Sequence, residues 1–170
     1  SSDLRAMCRA MHYLQEVQRA DGSWVPLWFG NQHVPGQENP VYGTSRALTN
    51  LANCGFSSGT FTAMQDRAVQ WLLDVQNTDG GWGGAGSVVS SIEETALAVD
   101  ALASTALQSA IRNHVTPGSD RGPQSAIDAV QRGAGWLITN TNAGQSLPAA
   151  PIGLYFARLW YFEELYPLIF

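Results

Sequence analysis

The sequence predicts an all-α fold, part of a double ring of helices of the (α/α)6 barrel type, with about six helices in helix-hairpin repeats. Three observations lead there. The phrase Val17-Gln18-Arg19-Ala20-Asp21-Gly22-Ser23-Trp24 recurs as Val75-Gln76-Asn77-Thr78-Asp79-Gly80-Gly81-Trp82, each copy closing a stretch whose apolar residues recur at helical spacing. A third stretch repeats the Trp71-Leu72 pair as Trp136-Leu137. Self-similarity of this kind marks stacked units that share a core, because one unit alone cannot bury its apolar face.

The first helix is expected from about Leu4 to Val17, with Met7, Met11, Leu14 and Val17 on one face, stopped by the Asp21-Gly22 turn. A long Gly-, Pro- and Asn-containing connection from Ser23 to Tyr42 precedes a short helix from about Thr44 to Cys54, which Gly55 ends. The third helix spans about Thr60 to Gln76, its stripe made by Phe61, Met64, Ala68, Trp71, Leu72 and Val75. The fourth starts near Ser91, three residues before Glu94 as in a capping box, carries Val99, Leu102 and Ala103 inward, and runs to about Leu107. After a loop from Gln108 to Gly122, Pro123 opens a fifth helix that ends near Thr139. The residues Thr141 to Leu147 stand where the repeated phrase belongs but lack its Gln and Trp, so this is a decayed third copy. A sixth helix is expected from about Pro151 to Leu165, apolar nearly all round.

Three outer-helix, turn, inner-helix units make half of a closed double ring. The 170 residues are therefore expected to be the C-terminal part of an α/α barrel domain and a piece of a longer polypeptide, with an open apolar flank that drives self-association of the isolated chain.

Composition narrows the function. The chain is 45% apolar with a net charge of -5, and its nine basic residues, all arginine, are scattered, which excludes a phosphate-binding basic face and hence nucleic acid as a partner. There is no signal-like opening and no apolar run long enough to span a bilayer, so a cytoplasmic protein is expected. Cys8 and Cys54 fall in apolar helical stretches and are expected to be buried reduced thiols. Cys8 and His12 have helical spacing, but no Cys-x-x-Cys or His-x-x-x-His pair joins them, so no metal and no cofactor are expected. Glu93 and Glu94 point about 100° apart on a helix and cannot flank one bond; Glu94 is expected to cap.

In the repeated phrase, Gln in the last helical turn is suited to bind free carbonyls, Asp to cap following amides, Gly to take a positive φ, and Trp to pack on the Gln amide. Such a phrase is a structural clamp. Gln18, Asp21, Gly22 and Trp24, with Gln76, Asp79, Gly80 and Trp82, resemble the QW motifs of the triterpene cyclases, squalene-hopene cyclases in particular. Asp21-Gly22-Ser23-Trp24 followed by Trp28 and Tyr42-Gly43-Thr44 is similar to that family's Asp-Gly-Ser-Trp and Tyr-Gly-Thr region, and Pro151 through Tyr166-Pro167 is similar to its C-terminal aromatic segment.

The resemblance implies a class II terpene cyclase, an isomerase acting on squalene or a related polyprenoid, in which an aspartic acid protonates an alkene or epoxide and aromatic faces stabilise the cations that follow. It places Trp28, Tyr42, Tyr155 and Phe162 at the substrate cavity, Tyr42 as the tyrosine that orders the acid's hydrogen-bond network. The family's acid lies in an Asp-x-Asp-Asp motif, and none occurs here, so the chain alone is expected to hold no catalytic residue and to be inactive. The long loop between Trp28 and Tyr42, Pro151 in place of an aromatic and Leu159 in place of a tyrosine depart from the pattern and leave the substrate open. In the longer polypeptide an isoprenoid substrate and peripheral membrane contact are the partners that the resemblance implies. The alternative is a non-enzymatic helical-repeat protein that binds an isoprenoid or a protein in its concave face.

Overall fold

The computed structural model describes residues 2–54, 59–112, 123–154, 159–163 and 166–169. Five long helices follow one another: α1 (Ser2–Val17), α2 (Pro40–Asn53), α3 (Gly59–Asp74), α4 (Ile92–Arg112) and α5 (Pro123–Asn140). They form two layers. α2 and α4 lie side by side in one layer, while α1, α3 and α5 form the other and pack in sequence, α1 on α3 and α3 on α5. α2 also packs on α3, and α4 on α5. This alternation of inner and outer helices is the arc of a double ring that the repeats predict.

The core lies between the layers. Met64, Ala68 and Leu72 of α3, Leu48 of α2, and Ala98, Ala101 and Leu102 of α4 are all fully buried, as is Trp82 from the turn region. Burial of each large side chain stabilises by about 1.5–3 kcal/mol. The expected stripes hold for their central members and fade at their edges: Met11 is buried in α1 but Val17 is exposed, and Ala103 of α4 is exposed and not inward as expected.

Helix boundaries differ where capping decides them. α2 begins at Pro40, earlier than the expected Thr44, because Asn39 caps it by accepting from the Tyr42 amide at 3.1 Å and Pro40 occupies the first turn. Asn followed by Pro is a start signal that apolar periodicity does not report. α4 continues past Leu107 to Arg112, since no breaker intervenes. The long connection into α2 carries a short 3-10 turn, Pro35–Gln37, and the buried Val34.

The expected sixth helix is overturned. Residues Ala150–Leu154 and Leu159–Glu163 form strands β1 and β2, paired antiparallel with Pro151 opposite Phe162 and Ile152 opposite Tyr161, and a short helix α6 (Tyr166–Ile169) follows. Helix and strand both accommodate a short apolar run. Here the aromatic run Trp160-Tyr161-Phe162 favours a pleated surface, and Pro151 with Gly153 disfavours a helix interior. The fold remains helical in both layers, with the hairpin as its terminal exception. Nor are both thiols buried: Cys8 is half-buried and Cys54 exposed at the end of α2, where its helix face turns outward.

Candidate functional site

Two clamps with the same wiring hold the inner helices in place. In the first, the Gln18 amide donates to the Gly22 carbonyl and to the Met64 carbonyl of α3, both at 2.9 Å, and the Arg67 guanidinium donates back to Gln18 Oε1. Asp21 Oδ1 accepts from the Ser23 amide and hydroxyl at 3.0 and 2.7 Å. Trp24 Nε1 donates to the Leu14 carbonyl at 2.8 Å, and the Trp24 amide donates to Thr44 Oγ1 of α2 at 2.9 Å. In the second, Gln76 donates to the Gly80 and Ala129 carbonyls at 2.8 and 3.0 Å, with Arg132 donating to its Oε1. Trp82 Nε1 donates to the Leu72 carbonyl and its amide to Thr95 Oγ1, both at 2.9 Å.

Each clamp thus ties three elements: an outer helix, the next outer helix and the inner helix between them. Gly22 (φ +98°) and Gly80 (φ +94°) take positive φ, and a Cβ there would meet the Arg67 and Arg132 carbonyls at 2.6 and 3.0 Å. The outer helices could not approach with any larger residue. Gly43 serves the inner helix in the same way, since a Cβ would lie 2.4 Å from the Trp24 carbonyl. That explains the Tyr-Gly-Thr spacing.

Burial works against ionisation of Asp21 and Asp79, yet other interactions outweigh it and hold both below the usual carboxylate range: hydrogen bonds from Ser23 and Trp71 with the charge of Arg19 at Asp21; hydrogen bonds from Gly81, Ser90 and Trp136 at Asp79. An open groove of about 610 Å³ runs beside the second clamp, between the turn at Thr78 and Asp79 and the α5 residues Arg132, Trp136 and Asn140. It belongs to the outer layer and not to the face that carries Tyr42.

The N-terminal ends of α2 and α4 meet at a polar knot. Glu94 Oε1 accepts from Asn39 Nδ2 at 2.7 Å and from Asn31 Nδ2 at 3.1 Å, its Oε2 accepts from the Ser91 hydroxyl, and its own amide donates to Ser91 Oγ at 3.2 Å. Glu94 therefore caps α4 and also anchors the long connection to both inner helices. Glu93 beside it is buried, and Tyr42 stacks on Phe29 of the connection with ring centroids 4.9 Å apart. Burial raises the Tyr42 phenol above its usual value, opposed by the charge of Arg46.

The residues singled out in the sequence fare unequally. Trp28 is 59% exposed on the connection that also presents Phe29, and Tyr42 is half-buried at the start of α2. Tyr155 lies outside the described residues, and of Phe162 only the backbone, in β2, is described. Sequence reasoning missed Arg67, Arg132, Thr95, Asn31 and Asn39, and named Thr44 without its bond to Trp24. The signal for the two arginines was available, since each stands four residues before the tryptophan of the repeated Trp-Leu pair, Trp71 or Trp136; Thr95 carried none, because Thr44 and Thr95 lie 20 and 13 residues from their clamp tryptophans. Among the described residues no group of His, Cys, Asp or Glu converges as a metal site.

A two-layered helical repeat locked by paired Gln-Trp clamps is a terpene-cyclase type of architecture. The squalene-hopene cyclase C-terminal domain profile matches residues 1–166, and the chain belongs to that family. It is 29% identical over 154 residues to enfumafungin synthase efuA of Hormonema carpetanum, which covers 89% of this chain and 10% of the relative. It is 40% identical over 77 residues to the squalene-hopene cyclase of Zymomonas mobilis (45% of this chain, 10% of the relative) and 36% identical over 93 residues to a copalyl diphosphate synthase of Streptomyces anulatus (55% and 15%). The chain thus spans about a tenth of the first of these relatives. No helix among the described residues is long and apolar enough to cross a membrane.

Proposed function

We propose that this chain is the C-terminal portion of a squalene-hopene-cyclase-like class II terpene cyclase, supplying aromatic wall to the substrate cavity while the protonating acid comes from an Asp-x-Asp-Asp segment elsewhere in the polypeptide. The observation that carries this is the placement of Tyr42: the first clamp fixes α2 through Thr44, the Asn39 to Glu94 bond ties its first turn to α4, and Tyr42 stands in that turn against Phe29, which follows the exposed Trp28. An aromatic face offers a carbocation negative quadrupole without a nucleophilic atom to trap it. Proton transfer to an alkene needs a strong, preorganised acid, and the clamped aspartates cannot serve, since hydrogen bonds hold them ionised.

The test is product analysis after incubation of the full-length protein, and separately of the 170-residue chain, with squalene and 2,3-oxidosqualene. Cyclic products are expected from the first and none from the second. Boil-sensitive turnover by the 170-residue chain would place the acid within it and refute the division of labour.

A further inference from the structure

Thr44 and Thr95 hold equivalent places in the two repeats, each accepting the backbone amide of its clamp tryptophan at 2.9 Å. Two positions before each stand Tyr42 and Glu93. Two residues turn a helix by about 200°, so both side chains leave their helices on the side away from the clamps. Because α2 and α4 lie side by side with their first turns bridged by the Asn39 to Glu94 bond of 2.7 Å, Tyr42 and Glu93 share one end and one side of the inner layer.

The two adjacent glutamates are treated differently. Glu94 is saturated by donors from Asn31, Asn39 and Ser91. Glu93 is only 4% exposed, and its Oε1 has no hydrogen-bond partner. A buried carboxyl with an unmet oxygen is destabilising, so its retention calls for a structural or functional reason.

We propose that Glu93 is a ligand-contacting residue on the face that carries Tyr42, where its carboxyl hydrogen-bonds an uncharged oxygen, hydroxyl, carbonyl or epoxide, of an isoprenoid; this rests on the cyclase function proposed above. Burial, opposed by hydrogen bonds from its own amide and from Ser91 and reinforced by the charge of Glu94, raises the Glu93 carboxyl above its usual range, toward the acid form that donates to such an oxygen. A pure hydrocarbon offers that group nothing. Glu93 is therefore a specificity determinant between oxygenated and unoxygenated substrates.

Equilibrium binding of squalene and of 2,3-oxidosqualene to the full-length protein tests this, in the wild type, Glu93→Gln and Glu93→Leu. The wild type is expected to bind the oxidised compound about tenfold more tightly, the value of one good hydrogen bond. Glu93→Gln, which keeps a donor of the same shape, should retain most of that ratio. Glu93→Leu should reduce it to about one with squalene binding unchanged, and Glu93→Met gives the same comparison should leucine not be tolerated. An unchanged ratio in the apolar variants, even with a gain in thermal stability, would make Glu93 purely structural and overturn the proposal. So would a wild-type ratio near one. Failure of the wild type to bind either compound would overturn the cyclase function itself and this inference with it.

Discussion

The turns after α1 and α3 and the turn after α5 begin from related sequences and end in different structures. The first two are wired outward: Gln18 and Gln76 reach carbonyls on the next outer helix, and Gly22 and Gly80 lie against its backbone. The third closes on itself. Thr141 Oγ1 donates to the Leu137 carbonyl at 2.7 Å and accepts from the Gly144 amide at 2.9 Å, and a Cβ on Gly144 would meet nothing within 4 Å. After it the described chain enters a hairpin and not an inner helix. The clamp residues accordingly serve the joint between repeats and not the turn itself. Where no further outer helix packs on the turn among the described residues, Gln and Trp have no partner to hold, and local bonds suffice.

The largest expected effects come from the clamp tryptophans. Trp82→Ala and Trp24→Ala remove buried rings together with the Nε1 bonds to Leu72 and Leu14, and each should cost about 3–5 kcal/mol. Trp28→Ala, at an exposed ring, should cost under about 1 kcal/mol. Thermal melts rank the three, and equal losses would show that Trp28 is core.

Glycine substitutions sharpen the contrast among the turns. Gly144→Ala should cost about 1–2 kcal/mol, the penalty of a positive φ alone, while Gly22→Ala and Gly80→Ala should exceed it because the added Cβ also strikes the neighbouring helix. Denaturant unfolding of the three variants is the measurement, and an equal cost would mean that close approach contributes nothing.

Smaller effects appear with pH. Asp21 and Asp79 have lowered carboxyl pKa values in the folded state, so their contribution is present above the ordinary carboxylate range and is lost as pH falls through the lowered values. Glu93 has the opposite sign. Its raised value means that stability is lost as pH rises from the ordinary range through the raised one. Melts from acid to neutral pH should show Asp79→Asn flattening the acid side and Glu93→Gln flattening the other. Parallel curves for both variants and the wild type would contradict these assignments.

The sequence made the helical repeats and the clamp positions legible because Gln, Asp, Gly and Trp at fixed spacing have few other uses. The same residues did not reveal that Gln18 and Gln76 bind across to Met64 and Ala129, because a helix terminus offers carbonyls of its own and a local bond is the simpler expectation. Asn39-Pro40 fixed the start of α2 by capping, which leaves no mark on apolar periodicity. The terminal segment was misjudged for a related reason: from Pro151 to Leu165 nearly every residue is apolar, so the pattern has no polar face to distinguish a helix from a strand. Glu93 was weighed in the sequence only as an acid-base partner of Glu94 and set aside on the helical angle; its burial and unmet oxygen show only once the chain is folded.

That the clamps bind repeat to repeat is tested most directly by amide hydrogen exchange in Gln76→Ala. The substitution removes the bonds to Gly80 and to Ala129, together with the Arg132 contact. Faster exchange is predicted both in the turn from Asn77 to Trp82 and in α5 around Ala129 to Arg132, with α1 and its own clamp unchanged. An increase confined to the turn, with α5 protected as in the wild type, would contradict the account.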